Sequence, residues 1–279
     1  MSGAVARVAR LVGVETLKVL GGRTIKIGVL AVAAVVAFTA WGHEKLADET
    51  AWTVAAKAFG AGLWAAEIFL LVAGTTAIAG ETAMGTLKMI LPHAYRRSDW
   101  IAAKAVVIAG QALVLLATAG IAAVVSGCLS GGLSDVTQHW AEGFGTAARV
   151  EVLHGAGEMT SHLASSAVVA LASLVATGLL GLAISCLFDS VIPALSAGFL
   201  LFLGFKSAGT LFGASSELLE KIYASYPGAM LDKVQVIGRG IAEKWDPELL
   251  PRGLFLSAVV AAASLLVGLV VFSRRDLQA

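Results

Sequence analysis

The sequence predicts an all-α membrane protein with six transmembrane helices, and three observations lead there. Of its 279 residues 58% are hydrophobic and only 14% charged, with a mean hydropathy of +0.84. That composition lies outside the range of soluble domains. Apolar runs cover residues 25–41, 58–79, 101–129, 163–187, 191–212 and 253–272. Most reach the ~20 residues that cross a ~30 Å hydrocarbon core as helix. Lys and Arg alternate in density from one connection to the next, as the positive-inside rule requires of a multi-pass chain.

Residues 1–24 come first. Val5, Val8, Val12 and Val19 fall on one stripe of a helical wheel, with Arg7, Arg10 and Lys18 on the other side. This predicts an amphipathic helix lying in the cytoplasmic interface, its cations near anionic headgroups. The leader is too long and too patterned for a signal peptide. Gly21-Gly22 breaks it before the first span. Residues 25–279 then form one membrane domain, with outer loops expected at 42–57, 130–162 and 213–252.

The first outer loop carries Glu44, Asp48 and Glu49 against Lys45 and Lys57; the second carries Asp135, Glu142, Glu151 and Glu158 against Arg149. The N-terminal stretch is basic and the C-terminal end holds Arg274 and Arg275. Both termini are therefore expected on the cytoplasmic side of a bacterial inner membrane. In the last outer loop, Leu231, Val234, Ile237 and Ile241 recur at helical spacing between Pro227-Gly228 and Asp246-Pro247. They predict short outer helices with one apolar face.

Motifs for chemistry are missing. The sequence holds no phosphate-binding G-x-x-x-x-G-K-[ST] loop, no H-E-x-x-H, no C-x-x-C and no G-x-S-x-G. His43, His139, His154 and His162 fall on the outer side without a metal-ligand spacing, so no metal is expected. Cys128 and Cys186 are expected at opposite ends of the bundle, too far apart for a disulfide. No nucleic-acid partner and no enzymatic activity are expected of this chain.

The richest segment is residues 80–104, GETAMGTLKMILPHAYRRSDWIAAK, a polar interruption between two apolar runs. Unsatisfied polar groups cost several kcal/mol each in hydrocarbon, so it belongs at a membrane surface. Lys88, Arg96, Arg97 and Lys104 outnumber Glu81 and Asp99, which marks that surface as cytoplasmic. Glu81 suits a helix start, Gly85 a sharp turn, Thr86 a cap and Pro92 a helix end, while Arg96 and Arg97 suit carboxylates or phosphates.

Glu81-x-x-x-Gly85-Thr86-Leu87, then Leu91-Pro92, Arg96-Arg97 and Lys104 at the start of a span, resembles the signature between spans two and three of ABC type-2 permeases. The resemblance implies a coupling helix at residues 80–100 whose Glu81, Gly85, Thr86, Lys88, Pro92, Arg96 and Arg97 contact an ATPase. It implies a permease subunit, an exporter in first expectation, working as a homodimer with two separately encoded ABC ATPase subunits. ATP and Mg would be bound by those partners, with no cofactor in this chain, and membrane lipid would surround it. A related device that transmits force to an outer-side partner stays open.

Glu67 and Lys206 lie within predicted spans two and five, at estimated depths of ~13 and ~9 Å from the outer end at 1.5 Å per residue. Intramembrane charges normally face protein or a water-filled cavity. The two are candidate partners in a translocation cavity; the alternative has Lys206 snorkelling outward and Glu67 satisfied locally. Glu67 also motivates a second function class, an ion- or proton-coupled secondary carrier.

Overall fold

The computed structural model describes residues 2–42, 50–86, 96–140, 149–211, 227–241 and 243–274. In chain order these form α1 (Ser2–Gly21), α2 (Arg23–Trp41), α3 (Ala51–Thr76), α4 (Ala79–Ala83), α5 (Arg97–Leu129), β1 (Val136–Trp140), β2 (Arg149–His154), α6 (Ala156–Ser185), α7 (Val191–Leu211), α8 (Pro227–Gly238) and α9 (Leu249–Arg274). Helix dominates, as the apolar runs predict. Five helices are long and apolar enough to cross a membrane: α2, α3, α5, α6 and α9. The protein is therefore a helical membrane protein.

Two helices form the centre. In α3 and α6 56% of the apolar window is buried inside the bundle, against 17% in α2 and 11% in α9. The outer helices thus turn most of their apolar surface to lipid. Glycine allows the central pair to cross closely. A Cβ on Gly74 would lie 2.3 Å from the Gly178 carbonyl oxygen, and one on Gly181 would lie 2.8 Å from that of Leu71. Backbones this near exclude any side chain at either position. Phe59, Leu70 and Leu71 of α3 and Leu174 and Leu182 of α6 fill the space above and below.

Two long helices begin earlier than the apolar runs do. α3 starts at Ala51, its first turns buried throughout by neighbours, and α6 at Ala156, where Met159 and His162 are the buried residues of the first two turns. At α3, Thr50 Oγ1 donates to the Gly238 carbonyl at 2.7 Å and Trp52 Nε1 to that of Ser134 at 2.8 Å. α8 supplies the lid for this end: Leu231, Val234 and Ile237 are almost fully buried. Ile241, expected on the same face, is 52% exposed, because the helix stops at Gly238 and the chain turns through Gly240 at φ +75°.

An antiparallel hairpin stands in the loop expected at 130–162. β1 and β2 pair Thr137 with Val152, Gln138 with Glu151, His139 with Val150 and Trp140 with Arg149. The β-branched residues in both strands favour the pleated conformation, and an apolar-run reading passes over segments this short. The helical bundle therefore has a hairpin end and, opposite it, a basic end where α1 packs.

Candidate functional site

The basic end holds a buried charge network built from three separate elements. α1 presents Glu15, α4 presents Glu81, and the first turns of α5 present Lys104, each with 4–6% of its surface exposed. Lys104 Nζ donates to Glu15 Oε2 at 3.1 Å and to Glu81 Oε1 at 2.9 Å. Lys18, more than half exposed, also donates to Glu81 and lies 3.7 Å from Glu15 Oε1. Two cations and two carboxylates leave the cluster neutral, the condition under which such burial is tolerable. Lys104 Nζ further sits 5.2 Å above the centre of the Trp100 ring, a cation–π contact. One turn away, Arg7 Nε donates to Asp99 Oδ2 at 2.9 Å.

Local structure puts each group in place. α3 gives way to α4 through Ile78, and the hydroxyl of Ser185 at the end of α6 accepts from the backbone N–H groups of Ile78 and Ala79 at 2.9 and 2.8 Å. That cap fixes α4 against α6 and points Glu81 inward. After α4 the chain turns at Gly85, φ +71°, a left-handed conformation that costs other residues roughly 1–2 kcal/mol. Thr86 Oγ1 donates back to the Glu81 carbonyl at 3.1 Å, closing this turn. Burial lowers the affinity of Lys18 for its proton, but the hydrogen bond and charge of Glu81, with Glu15 behind them, more than offset it. Its pKa is raised above 10.5.

Among the expected contact residues, Glu81 is buried in the network, so it is not presented to a soluble partner. Arg97 Nη1 donates to the carbonyls of Phe272 and Ser273 at 3.0 and 3.2 Å, closing the last turn of α9. Arg96 is exposed and Gly85 has open space where a Cβ would be. Lys88 and Pro92 lie outside the described residues. On α1, Leu11 and Glu15 are the residues that go inward, while Val5, Val14, Leu17 and Leu20 are 57–72% exposed. Arg7 and Lys18, expected among headgroups, make ion pairs with the bundle.

Glu67 is buried in mid-α3 with 5% of its surface exposed. Lys206 is in the α7 helix, but its side chain lies outside the described residues. α7 runs antiparallel to α3, its Gly198 against Thr75 and Phe202 edge-on to Trp64 with ring centroids 6.0 Å apart.

At the hairpin end His162 stacks on Trp245, ring centroids 4.3 Å apart and 11° from parallel. His154 is 6.2 Å from His162, and its Nδ1 lies 3.1 Å from Glu158 Oε2. Among the described residues no group of three or more His, Cys, Asp or Glu side chains is placed to hold a metal ion. Neither thiol is in a disulfide: Cys128 is exposed near the hairpin end, and Cys186, buried at the basic end, donates to the Leu182 carbonyl at 3.3 Å.

The network is what sequence reading missed. The sequence marks Lys104 only as a cation at the start of a span and does not single out Glu15; the signal available is that both fall at helical positions otherwise occupied by apolar residues. None of the curated proteins matches the chain. The resemblance to ABC type-2 permeases is overturned, because no model of that family matches. The motif behind it was short, made of residues common at any membrane surface, and its Glu81 serves an internal ion pair. The family model that does match covers residues 24–278, all of the chain beyond α1 and its linker, and the protein thus belongs to the family described as protein of unknown function (DUF2705).

Proposed function

We propose that this chain is the membrane-spanning subunit of an ATP-driven transport complex of export type, powered by a separately encoded ATPase that docks at the basic end. The observation that carries the reading is the neutral, buried network of Glu15, Lys18, Glu81 and Lys104. It joins α1, the turn after α3 and the base of α5, so that displacement of one moves the others. Such a joint suits a face that receives force. The sequence itself carries no nucleotide-binding loop, so the energy would come from a partner.

In this reading the basic end is cytoplasmic in a bacterial inner membrane, α7 is a sixth crossing, and two copies pair with two ATPase chains that bind ATP and Mg. Arg96 and the turn at Gly85 form the exposed contact surface. A second reading, a proton-coupled carrier, draws on Glu67, a carboxyl buried in the central helix of the bundle.

The test is purification of the tagged chain from its native membrane, with Mg-ATP hydrolysis measured and co-purifying chains identified by mass spectrometry. The proposal expects a stoichiometric ATPase, lost on Arg96→Glu while the thermal stability of the chain is kept. Absence of any ATPase, with gradient-driven transport abolished by Glu67→Gln, would replace it with the carrier.

A further inference from the structure

Between the base of α5 and the last turns of α9 lies a groove of about 340 Å³. Ile101, Leu269, Val270 and Phe272 make its apolar wall, and Arg97, Ser98 and Ser273 its polar rim. The two kinds of residue are separated in depth. The polar ones occupy the first residues of α5 and the end of α9, whereas Ile101, Leu269 and Val270 lie about one turn further in.

Helix length places that boundary in the membrane. α5 has 33 residues and α9 has 26, so at 1.5 Å per residue they measure roughly 50 and 39 Å against a ~30 Å core. Both exceed the core, and the arginines at this end, Arg97 and Arg274, suit the headgroup layer with the apolar wall beneath it. Val270 is 48% exposed, so the groove is open to the lipid side. Arg97 is held at the rim by its bonds to the Phe272 and Ser273 carbonyls, its guanidinium carbon 6.0 Å from the centre of the Phe272 ring. Arg96 and Arg274, both exposed, adjoin the rim in sequence. Asp99, the acid two residues beyond Arg97, is engaged by Arg7 on α1.

We propose that this groove is a binding site for an anionic phospholipid, with an acyl chain along Ile101, Leu269, Val270 and Phe272 and the phosphate among Arg96, Arg97 and Arg274. The arginines supply the charge complementarity and planar donors that phosphate favours. The apolar wall one turn deeper selects a lipid over a free phosphate.

Native mass spectrometry of the detergent-purified full chain, titrated with phosphatidylglycerol or phosphatidylcholine of identical chains, tests this. Phosphatidylglycerol is expected to bind more tightly. Arg96→Gln with Arg274→Gln should weaken it by about fivefold per arginine, the equivalent of about 1 kcal/mol for each cation near an anionic surface. Phosphatidylcholine binding should not change. Val270→Trp, which fills the groove, should weaken both lipids, and it decides the matter alone where the double variant does not fold. Arg97 is left in place because it closes the end of α9. Equal binding of the two lipids, or lipid binding unchanged by Val270→Trp, would overturn the site. Competition by glycerol phosphate at the same concentration as the lipid would reduce it to an anion site and overturn the lipid assignment.

Discussion

Replacing Lys104 with Met removes the centre of the charge network while keeping a long apolar stem. The wild-type ammonium is 4% exposed and satisfies Glu15 at 3.1 Å and Glu81 at 2.9 Å. Without it two buried carboxylates face each other, with only the half-exposed Lys18 near them. Breaking a buried pair from one side costs about 3–5 kcal/mol, because a charge is left without compensation at low dielectric. For a chain of this size that corresponds to a fall in Tm of roughly 6–20 °C. Adding Glu81→Gln removes one stranded charge, so the double variant should lose less than the sum of the single losses, by about 0.5–3 kcal/mol. Lys18→Met, at a largely solvated ammonium, should cost no more than about 1 kcal/mol. The assay is thermal unfolding in detergent on a Cys128→Ser background, read by a thiol-reactive dye at the buried Cys186. A Lys104→Met protein within a degree or two of wild type, or strictly additive losses with Glu81→Gln, would refute the network as a structural joint.

Three further outcomes follow from the packing and the charges. Gly74→Ala would drive a Cβ into the Gly178 carbonyl and the Leu182 amide, backbone atoms that cannot rotate away. It should cost at least the about 1–3 kcal/mol of ordinary overpacking, whereas Gly110→Ala, with open space around it, should match or exceed wild-type Tm. Because the Lys18 pKa is raised in the folded state, its contribution to stability is complete below pH 10.5 and is lost as pH rises beyond. The Tm difference between wild type and Lys18→Met should therefore shrink in that alkaline range and stay constant below it. Membrane-impermeant maleimide should label Cys128 from the hairpin side of sealed vesicles and should not label Cys186 from either side until the protein unfolds; labelling of Cys186 in the native state would contradict its burial.

Much of the fold was legible because bilayer crossing demands long apolar helices, and six runs stood out. The C-terminal limit at Leu129 coincides with its run end, since Ser130 and two glycines follow at once. The early starts of α3 and α6 were not legible: Trp52, Thr53 and His162 are buried by α8, the hairpin end and Trp245, which no local hydropathy records. The site was legible only in part. Charge density marked residues 80–104 as a surface segment, but the roles of Glu81 and Arg97 depend on partners 23 to 176 residues distant. Glu15 and Lys104 were not legible as a pair because burial of an ion pair is a property of packing between elements, not of spacing within one.

The central claim is that α1, the Gly85 turn and the base of α5 move as one body when an ATPase works on the basic end. Spin labels at Leu17→Cys on α1 and Leu266→Cys on α9, both exposed positions, report that motion on a background lacking Cys128 and Cys186. In the complex purified from its native membrane, the account predicts a distance distribution that shifts on addition of Mg-ATP and returns after hydrolysis. It also predicts that Lys104→Met, which unties α1, broadens the distribution and removes its dependence on nucleotide. A single distribution unchanged by nucleotide in the wild-type complex would contradict the account.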